Sequence, residues 1–200
     1  MSTTTLAAPI RVNAAGVHAR PGLGRLVAVE LRKMVDTRAG FWLQVAMVAL
    51  TVVVVVVRLL VGDAARHTFQ SVLDVGLQPS AVLLPVLGIL LVTSEWSQRT
   101  GLITFALLPV RSRVLDAKLL ASLLLAVAML AISVAVVAAG VFVSSPGVEG
   151  TWSDAVPLIG QSAVNLTAGM VVGVALGAIL LASAPAIVLL FALPVSWMAV

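Results

Sequence analysis

The separation of charged from apolar residues is the feature of this sequence that most constrains its fold. Residues 155–200 contain no Asp, Glu, Lys or Arg, and most of the charge upstream lies in short blocks between apolar runs such as Val45–Val57 and Leu119–Val143. Hydrophobic residues make up 61% of the chain, against roughly 45–50% in soluble domains. Because a helix crosses the hydrocarbon core of a bilayer with about 20 apolar residues, we predict an all-α, polytopic membrane protein.

The composition argues against several functional classes. The chain has no cysteine and therefore no disulfide and no thiol-based redox or metal site. The net charge of +4 does not indicate nucleic-acid binding, because the positive residues flank apolar runs and form no basic stripe with aromatic residues. No Gly-x-x-x-x-Gly-Lys phosphate loop is present. His18 and His67 lie in predicted extramembrane segments, so we expect no enzyme active site, cofactor or metal.

Five apolar segments are predicted to cross the membrane, and the charges between them predict their orientation. The segments are about Phe41–Val61, Pro79–Ser94, Leu119–Ser144, Leu158–Ala182 and Ala186–Val200. Segments 1–40 and 95–118 are net positive. The loop with Asp63, Arg66 and Asp74 and the loop with Glu149 and Asp154 are net negative. By the positive-inside rule, we expect a multi-pass membrane protein with a cytoplasmic N-terminus.

The N-terminal 40 residues divide into two predicted parts. Residues 1–22 are expected to form a disordered cytoplasmic tail, and residues 23–40 an amphipathic interfacial helix. Glu30 falls on the apolar side of that helix and needs a partner, for which Lys33 is within reach. This helix is expected to lie on anionic lipid, with an additional contact to a cytoplasmic protein as the alternative. Residues 41–200 then form the transmembrane domain.

The cytoplasmic loop 95–118 is more apolar than a simple connector. Leu102, Phe105, Ala106 and Leu108 form one side of a short predicted helix that ends at Pro109. Such a helix needs a surface to cover its apolar side. The loop therefore packs against the bundle or the lipid headgroups, or it is a docking element for a cytosolic motor.

Three stretches give the chain a resemblance to a known family. They are Glu30-Leu31-Arg32-Lys33 leading through Asp36-Thr37-Arg38 into Phe41-Trp42; the loop Glu95…Arg99-Thr100-Gly101…Leu107-Leu108-Pro109…Arg111-Ser112-Arg113 followed by Ala117-Lys118-Leu119; and Ala182-Ser183-Ala184-Pro185 between two apolar runs. In this order the stretches resemble the permease subunit of ABC-2 type ATP-binding-cassette exporters. Family members usually have six spans, so with about five we expect a fragment or a truncated gene product.

The resemblance implies a mechanism and a set of partners. Two permeases pair, as a homodimer or heterodimer, around a central path, and cytosolic ATPase subunits bind below them. ATP-driven closure reaches the membrane through the loop helix after span two. On this analogy the candidate residues of the ATPase-coupling interface are Glu95, Arg99, Thr100, Leu102, Phe105 and Arg113.

Polar and glycine residues recur along the predicted fourth span. Gln161, Asn165, Gly169, Gly173 and Gly177 are spaced four apart and follow one side of the helix. The two glycine steps are of the small-xxx-small type that permits close approach of helices. The simplest interpretation is packing within one bundle. The alternative is a dimer seam or the wall of a transport path, with the two amides as polar contacts.

The resemblance therefore implies a permease subunit in a bacterial plasma (inner) membrane that moves a hydrophobic or amphipathic substrate, driven by a separate ATPase. A secondary carrier is disfavoured, because no Asp, Glu or His lies at the middle of a predicted span. The remaining alternative is a membrane scaffold or assembly subunit that does not transport.

Overall fold

The computed structural model describes the backbone of residues 22–61, 68–97, 111–145 and 150–198, and these parts contain helices and no strands. The helices are α1 (Leu23–Asp36), α2 (Arg38–Val61), α3 (Phe69–Gly76), α4 (Gln78–Ser97), α5 (Arg111–Ser144), α6 (Ala155–Leu180) and α7 (Ser183–Met198). The prediction of an all-α membrane protein is confirmed.

Four helical segments are long and apolar enough to cross a bilayer. They are Arg38–Val61, Phe69–Ser94, Arg113–Ser144 and Ala155–Leu180. The second combines α3 and α4, which are separated only by Leu77. The fifth predicted span coincides with α7, whose described apolar part, Ser183–Ala192, is shorter.

Two spans begin earlier in the chain than the apolar runs indicate. The second starts at Phe69, where the Thr68 hydroxyl accepts a hydrogen bond from the Ser71 backbone N–H, so Asp74 lies on a helix and not in a loop. Helix α5 starts at Arg111 and has 34 residues. At 1.5 Å per residue it is about 50 Å long, against about 30 Å for the hydrocarbon core. Its charged first turns therefore continue outside the apolar layer.

The core runs through the centre of the bundle. Its largest cluster contains buried side chains from five helices: Val27, Met34, Met47, Leu84, Leu87, Leu91, Ala117, Ala121, Leu125, Ala126, Met129, Leu130, Leu166 and Met170. By contrast, α2 is exposed over most of its length, with residues such as Val53 and Leu60 on the surface. Such a surface is compatible with lipid and not with water.

A second cluster closes one end of the bundle around α3. Phe69 is fully buried against α5 side chains such as Val137 and Val141. Its backbone N–H donates to the Thr151 carbonyl at 2.9 Å, and its ring centroid lies 5.4 Å from that of Trp152. The start of the second span is thus held to the turn that precedes α6.

Candidate functional site: the junction of α1 and α5

Helix α1 is attached to the bundle by one face. Its buried residues are Val27, Glu30 and Met34, spaced as neighbours on one side of a helix. Val27 and Met34 belong to the core cluster that also contains Ala117 and Ala121 of α5. Protein therefore covers this face, although other apolar residues of α1, including Leu23, Val29 and Val35, remain exposed. Those exposed residues are the part of α1 still available to lipid.

An ion-pair cluster lies within this contact. Both carboxylate oxygens of Glu30 are used: Oε1 accepts from the Lys33 ammonium at 2.7 Å, and Oε2 accepts from the Lys118 ammonium at 2.8 Å. The side chains of Glu30 and Lys118 are only 7% and 6% exposed, whereas that of Lys33 is 42% exposed. Two charges at such depth are stable together because each satisfies the other. The cluster links α1 to the first turns of α5.

Lys33 was the partner that the sequence predicted for Glu30, and that prediction is confirmed. The Lys118 contact was missed, because 88 residues separate it from Glu30. The sequence of each helix indicated a buried charge, because Glu30 and Lys118 are each flanked by apolar residues at helical spacing. Pairing them, however, requires knowing that α1 and α5 are neighbours.

The angle between α1 and α2 is set by a small group of polar contacts. Helix α1 ends at Asp36, and the extended backbone of Thr37 turns the chain. The Thr37 hydroxyl accepts a hydrogen bond from the Gly40 N–H at 3.2 Å. Gly40 packs so closely on the Met34 carbonyl that a Cβ at this position would collide with it. The Gln44 side-chain amide donates to the Met34 and Gly40 carbonyls, at 2.9 and 3.2 Å. The bond to Met34 satisfies a carbonyl in the last turn of α1, where carbonyls lack intrahelical partners.

The structure describes only two of the six predicted coupling residues. Glu95 lies in the last turns of α4, where the structure describes the backbone alone. Arg113 lies in the first turn of α5 and is exposed. Arg99, Thr100, Leu102 and Phe105 lie outside the described residues. The two helices that flank this loop, α4 and α5, are both described.

The glycines of the predicted fourth span lie against α4. Gly173 abuts the Pro85 carbonyl, and a Cβ at Gly177 would lie 3.0 Å from the Ile89 carbonyl. From the other helix, a Cβ at Gly88 would lie 3.0 Å from the Met170 carbonyl. The α4 and α6 backbones are thus in direct contact, and we call this contact the glycine seam.

The polar members of the same series lie elsewhere. Gln161 and Asn165 are exposed, while Gly173 and Gly177 are buried and Gly169 is intermediate. A residue step of four advances about 40° around a helix, so the series drifts from the exposed side of α6 to the buried side. The structure therefore divides the five residues into an exposed amide pair and a glycine group at the seam.

Within the described residues, no group of three or more His, Cys, Asp or Glu could hold a metal ion. Comparison with protein-family models, with curated proteins and with solved structures finds no match to this chain. A functional assignment therefore depends on the sequence resemblance and on the geometry of the α1–α5 junction.

Proposed function

We propose that this chain is the permease subunit of an ABC-type exporter that moves a hydrophobic or amphipathic substrate across the plasma membrane, driven by a separate cytosolic ATPase. The observation that carries the proposal is the buried Glu30–Lys118 ion pair. It joins the amphipathic helix α1 to the first turns of α5, directly after the segment that contains the candidate coupling residues. A docking loop needs such a connection if force on it is to move the membrane helices.

The two helices that flank the loop both pack on α6, and each also has a contact of its own. Helix α4 ends before the loop and contacts α6 along the glycine seam. Helix α5 begins after the loop and is held to α1 by the ion pair. Close-packed helices move as rigid units and do not deform continuously. Displacement of the loop by an ATPase would therefore reach α6 through the glycine seam and α1 through the ion pair.

The charge distribution supports the proposed orientation. The Glu30–Lys118 contact brings the two net-positive segments of the chain to one side of the bundle. The hydrogen bond from Phe69 to the Thr151 carbonyl joins the regions of the two net-negative loops. Positive segments face the cytoplasm by the positive-inside rule. The α1–α5 junction and the coupling loop would then both face a cytosolic ATPase.

The proposal is tested by asking whether an ATPase copurifies with this chain. The tagged chain is purified from its native membranes, and bound proteins are identified by mass spectrometry. Phe105→Glu and Arg99→Glu variants are compared with Gln70→Glu, a control at an exposed site on α3. We expect a Walker-motif ATPase with the wild type and the control, and its loss with the loop variants. Its ATP turnover should change when the permease is reconstituted with it.

Two other results have defined meanings. Absence of an ATPase from all samples, with the protein intact and folded, contradicts the permease proposal and favours the non-transporting scaffold or assembly subunit. Retention of an ATPase by the loop variants keeps the permease assignment and contradicts the coupling role of Arg99 and Phe105.

A further inference from the structure

A layer of buried hydroxyl groups lies between the largest core cluster and the second cluster around α3. The Thr51 hydroxyl donates to the Gly76 carbonyl at 3.2 Å, and the Ser80 and Ser133 hydroxyls lie 3.3 Å apart. All three hydroxyl-bearing residues are at most 3% exposed. These contacts join α2, α4 and α5 with the end of α3. We call them the hydroxyl layer.

The order of residues along the helices shows that the layer divides the core. On α2, Thr51 lies between Met47 of the largest cluster and Val55 of the second cluster. On α5 the same division falls at Ser133. The two clusters share no buried side chain. Regions of a protein that have separate cores open separately, at free energies below that of global unfolding.

The second span has a joint at the hydroxyl layer. Helix α3 ends at Gly76 and α4 begins at Gln78, and Leu77 between them has helical dihedral angles of φ −84° and ψ −15°. Pro79 has no backbone N–H, so the Val75 carbonyl lacks the donor that it would have four residues on in a continuous helix. A few residues at the end of an element are the usual location of a hinge.

Helix α3 is held at both of its ends. At its start, the Phe69 backbone N–H donates to the Thr151 carbonyl and the Phe69 ring packs near Trp152. These contacts join α3 to the turn before α6 in one unit. At its end, the hydrogen bond from Thr51 to the Gly76 carbonyl holds α3 to α2. A motion of α3 about Leu77 has to break this second contact.

We propose that α3 is a lid over the second cluster, hinged at Leu77 and latched by the Thr51 hydroxyl. Opening moves α3 away from α2 and α5 and uncovers Val55 and Val137. The largest cluster and the Glu30–Lys118 ion pair stay in place. The inference goes beyond the proposed function, because the lid requires neither an ATPase nor a substrate and a membrane scaffold would have it as well.

Hydrogen exchange of the wild-type chain in detergent tests the lid without any substitution. Backbone amides of residues 70–76, in α3, are compared with those of residues 86–92, in α4 on the other side of the hydroxyl layer. If α3 opens separately, its amides should exchange at least about 10-fold faster. Equal protection of the two segments would overturn the lid, because α3 would then open only together with the bundle.

The latch is tested by thiol labelling of single cysteines in a chain that has none of its own. Val72→Cys lies on α3 and Ala126→Cys lies in the largest cluster, both at positions that are 0% exposed. Thr51→Val replaces the hydroxyl with a methyl group. It should raise the labelling rate of the Val72→Cys variant by about 2- to 10-fold, the range for one hydrogen bond, and leave that of the Ala126→Cys variant unchanged.

Thr167→Val is the matched control, because the Thr167 hydroxyl donates to the Ala163 carbonyl of its own helix. It should change neither labelling rate. If Thr51→Val accelerates both cysteines equally, the bundle loosens as a whole and the lid is overturned. If it accelerates neither, Thr51 is no latch and the proposal also fails. These results do not depend on ATPase copurification, so failure here and failure of the transport assignment can be told apart.

Discussion

The Lys118 ammonium lies 2.8 Å from the Glu30 carboxylate, and both side chains are more than nine-tenths buried. The pair joins α1 and α5, which are distant in the sequence. Lys118 follows, in the sequence, the candidate coupling residues on which the proposed transport function depends. Removal of one member of a buried pair leaves the other charge poorly compensated. The pair should therefore affect stability far more than surface ion pairs do.

Glu30→Gln is expected to lower the free energy of unfolding by about 3–5 kcal/mol, as for other broken buried pairs. Glu30 is the anion shared by both lysines, so the substitution weakens both contacts. Lys118→Met should cost less, because Glu30 keeps Lys33 at 2.7 Å. Thermal unfolding of the purified protein in detergent measures both effects.

Arg32→Gln on the same helix is the matched control. It breaks the exposed Arg32–Asp36 pair, whose closest atoms are 3.9 Å apart, and such pairs contribute about 0–1 kcal/mol. Equal stabilities of Glu30→Gln and Arg32→Gln would contradict the structural role of the buried pair.

Gly173→Ala is expected to destabilise the bundle by about 1–3 kcal/mol, the usual range for overpacking. The added methyl group would meet the Pro85 carbonyl of α4, so the two helices would have to separate. Gly160→Ala is the control on the same helix, because a Cβ there has nothing within 4 Å. It should be neutral or stabilising by up to about 1 kcal/mol, from helix propensity.

Denaturant or thermal midpoints in detergent compare the two glycine variants. If the Gly173→Ala variant is as stable as the Gly160→Ala variant, the α4 and α6 backbones are not in close contact at Gly173.

The membrane fold was predictable from sequence because apolar length and charge spacing act locally. The spans over α2, α5 and α6 follow directly from runs of apolar residues, and the four-residue spacing of the glycines pointed to a close helix contact. Two features needed the tertiary structure. The choice of α4 as the partner of Gly173 depends on Pro85, which has no sequence relation to it. Likewise, no local pattern connects Lys118 to Glu30.

The extra helical turns of α5 were missed for a different reason. Arg111, Arg113 and Asp116 are polar, and an apolar-run criterion assigns such residues to a loop. A helix continues past the hydrocarbon core, however, as long as its backbone hydrogen bonds can be completed. The coupling residues in segment 98–110 remain a sequence prediction, because they lie outside the described part of the chain.

Gln44→Leu is expected to loosen α1 from the bundle. The Gln44 amide donates to the Met34 and Gly40 carbonyls, and loss of these bonds should cost about 1 kcal/mol. The readout is thiol labelling of a Met34→Cys variant, a position that is 3% exposed. Labelling should become faster with Gln44→Leu.

Gln70→Leu in the same Met34→Cys background controls for a general effect of replacing glutamine in this chain. Gln70 is exposed on α3, so it should leave the labelling rate of the cysteine unchanged. Equal labelling rates in the Gln44→Leu and Gln70→Leu variants would show that the Gln44 amide does not fix the angle between α1 and α2.

The orientation is open to a direct test with cysteines on opposite sides of the bundle. Ser153→Cys lies in the exposed turn before α6, and Ala28→Cys lies on the exposed side of α1. If the positive segments face the cytoplasm, a membrane-impermeant reagent should label Ser153→Cys in intact cells and Ala28→Cys only after permeabilisation. The reverse pattern would put α1 and the coupling loop outside the cell. Because ATP is supplied from the cytosol, that result would also remove the physical basis for ATPase docking at Arg113 and the adjoining loop.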